Sequence, residues 1–128
     1  MTYHFSKTLA LSYDEAIEKV TEGLKQEGFG VLTEIDVQAT LKKKLNADFK
    51  KYKILGACNP TMAFEALKAE DKIGTMLPCN VVVQEVEGGK IEVSAVDPVA
   101  SMSAIHNQQL GNIASQVQAK LKAVIDRL

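Results

Sequence analysis

One apolar seam runs through the C-terminal stretch, where Leu110, Ala114, Val117, Leu121, Val124 and Leu128 step by four and three residues in strict alternation. That spacing places all six on a narrow stripe of one long α-helix, with Asn107 in position to cap its start. Such a stripe has to lie along a sheet or another helix. The material for a sheet stands upstream: residues 80–86 and 91–96 are rich in β-branched side chains and flank Glu87-Gly88-Gly89-Lys90, a tight-turn signal. A two-residue turn at Gly88-Gly89 pairs Val86 with Ile91, Gln84 with Val93, Val82 with Ala95 and Asn80 with Asp97 on a buried face. It leaves Glu85 opposite Glu92 in water.

The remaining elements follow from caps and breakers. Residues 2–10 alternate loosely and read as a first strand, and Ser12-Tyr13-Asp14-Glu15 is a capping box that opens a helix over 13–27, stopped by Gly28. Residues 29–35 read as a second strand, placed most simply beside the first. Asp36 caps a short helix bearing Val37, Leu41 and Leu45 and ending near Asn46. Residues 54–57 form a third strand, after which Asn59 at the cap and Pro60 at the first helical position start a helix with Ala63, Ala66 and Leu67 inside. Residues 99–102 read as a loop or a single turn. This order of elements predicts an α+β fold, a sheet of about five strands with helices packed on one face. With 128 residues and 46% of them hydrophobic, residues 1–128 can bury a sound core as a single domain, with no need of metals or disulfides.

Composition narrows the partners. A formal charge of -1, a single arginine, no tryptophan and 5% aromatic residues argue against a nucleic-acid or base-stacking surface. No apolar run approaches a membrane span and no leader-like N-terminus is present, so the expected location is cytoplasmic, without membrane partners. Residues 42–53 hold six lysines against Asp48 alone. That is either a solvated face or a landing area for an anion.

The chemistry concentrates in two Cys-Asn steps, Cys58-Asn59-Pro60 and Pro78-Cys79-Asn80, which hold both cysteines. Cys58 precedes a helix start, where the helix dipole favours a thiolate, and is the candidate catalytic residue; its alternative is a small buried hydrophobe. Cys79 lacks that dipole argument and reads as packing. Asn80 and Asp97 position a ligand or else satisfy each other. His4 and His106 stand at no ligand spacing, so no metal is expected, and no cofactor is implied.

Gly56-Ala57-Cys58-Asn59-Pro60, Leu77-Pro78-Cys79-Asn80-Val81-Val82-Val83 and Ala95-Val96-Asp97-Pro98, with the stretch from Gly28 to Val37, resemble the family known as domain of unknown function 302. The resemblance covers nearly the whole chain. It implies a curved antiparallel sheet of the TATA-binding-protein-like class with helices packed on it, often as a homodimer, and it implies no activity.

Two functions from different classes fit these features. One is a cytosolic small-molecule binding or thiol-chemistry module with a site at Cys58, Asn59, Cys79, Asn80 and Asp97. The other is a non-catalytic homodimeric assembly protein in which the Cys-Asn steps only cap and pack. The dimer expectation rests on the C-terminal seam from Leu110 to Leu128, which competes with two other helices for one sheet face, and on Val81, Val83 and Val96, which the two-residue turn places on the outer sheet face.

Overall fold

Capping chemistry sets most helix starts in the computed structural model, which describes residues 2–128. Strand β1 (His4–Leu9) leads through the Ser12 capping box into α1 (Tyr13–Gln26), and Gly28 at φ 85° turns the chain into β2 (Gly30–Asp36). The Asp36 carboxylate accepts from the Ala39 amide at 2.9 Å and starts α2 (Val37–Leu45), which Asn46 ends in a left-handed conformation. Then come β3 (Tyr52–Cys58), α3 (Pro60–Ala69) and a 3₁₀ segment (Asp71–Met76). The chain closes with β4 (Cys79–Glu85), β5 (Ile91–Val96), the single turn α4 (Pro98–Ser101) and the long helix α5 (Gln108–Asp126).

The five strands form one antiparallel sheet in the order β1-β5-β4-β3-β2. This corrects the expected pairing of the first two strands, which lie on opposite edges. The antiparallel run of β3, β4 and β5 fills the sheet between them, and because β1 and β2 then run parallel, the 14 residues of α1 join them as a crossover. Helices α1 and α5 pack on the same face, with α3 and α4 against α5.

The hairpin register also differs by one. The loop has three residues, Glu87, Gly88 and Gly89, closed by the Val86 amide donating to the Lys90 carbonyl at 2.8 Å, and both glycines take positive φ, 79° and 73°. The pairs become Val81 with Ala95, Val83 with Val93, Gln84 with Glu92 and Glu85 with Ile91. The hydrophobic match selects this register, since it buries Val81 and Val83 beside Ile91, Val93 and Ala95, whereas the two-residue turn would have buried Asn80 and Gln84.

The open sheet face is consequently polar. Asn80 is exposed there, Gln84 donates to Glu92 at 3.4 Å, and His4, Ser6 and Ser94 form a hydrogen-bonded chain with 2.7 Å links. Val81 and Val83, expected on this face as the cover for a dimer, are fully buried in the core of the monomer.

The core itself is divided. A larger cluster joins Val20 and Leu24 of α1 to Leu55, Val81, Val93 and the α5 residues Leu121 and Val124; a smaller one joins Ala66, Ile73, Met102, Leu110 and Ala114. Ile113 packs against both. The seam of α5 is buried as its spacing predicts, from Leu110 to Val124. Lys7 on β1 donates to the Asp126 carbonyl at 3.1 Å, which places a cation at the carboxyl end of that helix.

Candidate functional site

Where the two core clusters meet, their side chains leave a cavity of about 280 Å³. Ala57 of β3 and Cys79 of β4, direct partners in the sheet, contribute to one side. Ala63 and Ala66 come from α3, and Ile113 and Ala114 from α5. Much of the room comes from side chains that stop at Cβ. Leu32 and Leu67, 68% and 43% exposed, mark the opening to the surface. Leu32 is there because a bulge in β2, between Val31 and Thr33, takes it out of the ladder with β3.

Three of the five expected site residues converge on this cavity and two do not. Cys58, Asn59 and Cys79 line it. Asn59 is the cap of α3: its Oδ1 accepts from the Met62 amide at 3.2 Å, and its Nδ2 lies so close to Gly28 that a β-carbon there would sit 3.1 Å away. Asn80, one residue after Cys79, points to the opposite, open face. Asp97 is occupied elsewhere, as its carboxylate caps α4 through the amides of Val99 and Ala100 at 3.0 and 3.4 Å. It also accepts from Gln118 Nε2 of α5 at 3.1 and 3.2 Å. The expected contact between Asn80 and Asp97 is therefore absent, a direct result of the register.

The two thiols differ. Cys79 is buried, and burial first, then the proximity of Cys58, push its thiol from 9.0 up to about 11. It is a protonated wall of the cavity at neutral pH. Cys58 is half-buried and free. Among the described residues no cluster of three or more His, Cys, Asp or Glu side chains could hold a metal ion, and no helix is long and apolar enough to cross a membrane.

Sequence reasoning missed most of the lining. Pro98 and Met102, at the α4 turn, and Leu77, before β4, stand in stretches read as breaks or loops; the packing of α4 on α5 brings in the first two, and Leu77 enters by packing on the smaller core cluster. The alanines were visible, but as core stripe; a hole between two elements that both present small residues has no signature in either one alone.

An open antiparallel sheet with helices packed on it and an apolar cavity between sheet and helices defines an α+β class. Within that class the chain belongs to the family described as domain of unknown function DUF302, whose model matches residues 5–128. A crystal structure of an uncharacterized conserved DUF302 protein from Bacillus stearothermophilus is 33% identical, with a TM-score of 0.91 over 99% of this chain and 98% of that one. No functionally curated protein matches the chain.

Proposed function

We propose that the chain acts as a single small-molecule binding domain in the cytosol, with the cavity between α3, α5 and the sheet as its site. The observation that supports this reading is the coincidence of that cavity with both Cys-Asn steps. Specific pockets are mostly apolar, largely preformed and of about this size, and they carry few polar groups. Cys58, Asn59 and Cys79 are the ligand-binding residues of the expected set; Asn80 and Asp97 act in the sheet face and the α4 cap. The two free thiols suit a reducing compartment. Nucleic acid is not among the partners, since the open face carries Glu92, Gln84 and Asn80 and no arginine.

Methyl-resolved NMR with a mixture of fragments tests the reading. The methyl groups of Leu32, Ala66, Leu67 and Ala114 should shift together and those of Val82 and Thr8 should stay, while shifts confined to the open face would sink it. Thiol labelling adds a second check. Iodoacetamide should modify Cys58 in the native protein at neutral pH and spare Cys79 until unfolding; labelling of both at equal rates contradicts the burial of Cys79.

The exposed apolar rim favours a second reading, the homodimeric assembly protein. Leu32, Leu67 and Phe64 are 68%, 43% and 61% exposed. In that reading a second copy covers the rim, and light scattering decides it: a mass near 13.9 kDa at micromolar concentration excludes it.

A further inference from the structure

We infer that the cavity selects a neutral, compact, hydrocarbon-rich ligand and rejects ions of either sign, an inference that rests on the binding reading above and names its ligand class. None of the eighteen lining residues is charged. Asn59 is the only one with a side-chain nitrogen or oxygen; its oxygen already serves the Met62 amide, and its nitrogen is turned to the Glu27 carbonyl at 3.5 Å. A carboxylate, phosphate or ammonium taken inside would lose its water and meet no partner, and that loss is large compared with anything apolar contacts return. Burial likewise disfavours an anion on the cavity's own wall, where it pushes the Cys79 thiol up from its ordinary value.

Size follows from volume. An apolar cavity of about 150 Å³ holds a benzene ring, so the 280 Å³ here matches roughly two fused rings or a short branched chain. The head of a longer amphiphile would have to remain at the rim, beside Leu32 and Leu67, where no lining side chain offers it a charge.

Three naphthalene derivatives of one shape test this: naphthylmethanol, naphthalenesulfonate and naphthylmethylammonium. The chain has no tryptophan, whose emission would overlap the naphthyl band, and excitation to the red of its three tyrosines lets naphthyl fluorescence read binding. The expected result is saturable binding of the alcohol, with both ions weaker by about tenfold or more. Ala66→Leu, which places three more carbon atoms in the cavity, should remove alcohol binding while the melting temperature holds or rises; Ala63→Leu, from a half-buried position on the same helix, serves if the first variant folds poorly. Equal or tighter binding of either ion, lost in the filled variants, overturns the ligand class and leaves the binding reading standing. No binding by any of the three, or binding that the filled variants retain, overturns both. Alcohol binding that appears only as the protein is diluted would assign the cavity to a second copy of the chain, and would overturn the inference too.

Discussion

At the scale of single residues, the two cysteines part company although their sequence settings look alike. Cys79 follows a proline into a strand, pairs Ala57 across the sheet and is buried, so it behaves as a small apolar side chain. That burial was legible in the sequence, because nothing there offered the thiolate a dipole. The behaviour has a pH signature. A thiol whose folded value is raised from 9.0 to about 11 contributes stability that is fully present below about pH 9 and is lost as pH rises toward 11. Two units correspond to about 2 to 3 kcal/mol. Urea unfolding at pH 8 and pH 10.5 should show a fall of that order in the native chain, and Cys79→Val should flatten it; an identical slope in the variant would remove Cys79 as the cause. Tyr13, raised to about 12 by burial and by Asp36, Asp14 and Glu34, adds a shallower loss above pH 10 common to both proteins.

At the scale of elements, whatever depended on neighbours in sequence was legible, and whatever depended on long-range register was not. Ser12, Asp36, Asn59 and Asn107 each cap the helix their position announces, because a cap is completed within three residues. The α5 seam was equally plain. The hairpin was recognised but its register was missed by one, since Glu87-Gly88-Gly89-Lys90 accommodates either loop and the burial of Val81 and Val83 arbitrates. Nor does local sequence show what Gly56 is for. A β-carbon there would stand 2.1 Å from Thr33 Oγ1 and 2.8 Å from Pro78 Cγ, so β2 and the entry to β4 close over this point of β3. Gly56→Ala should therefore cost about 1 to 3 kcal/mol in chemical denaturation, the usual range for overpacking. Thr33→Ala in the same chain should recover part of that loss and leave the share due to the proline ring. A Gly56→Ala protein as stable as the native one would mean that these strands do not approach as described.

At the scale of the whole molecule, the register decides which surface is core and which is free, and with it what a single charge does. Val83 is fully buried, directly across from Lys53 in one neighbouring strand and Val93 in the other. Val82, one residue away, is half-buried on the open face between Ile54 and Ser94. Val83→Lys sets an ammonium group inside the sheet–helix core, directly across from Lys53. The cost of several kcal/mol consumes much of the roughly 5 to 15 kcal/mol that holds a domain folded. Val82→Lys lets the same group reach water along an exposed face, and such changes usually stay within about 1 kcal/mol. Had the two-residue turn been right, the outcomes would exchange: Val83→Lys would leave a folded chain and at most split a dimer through the outer face. Circular dichroism with thermal melting separates the cases without knowledge of any ligand. Loss of the cooperative transition in Val83→Lys beside a native-like Val82→Lys supports the architecture described, and the reverse pattern would return Val81 and Val83 to the surface and restore the apolar face from which a dimer was expected.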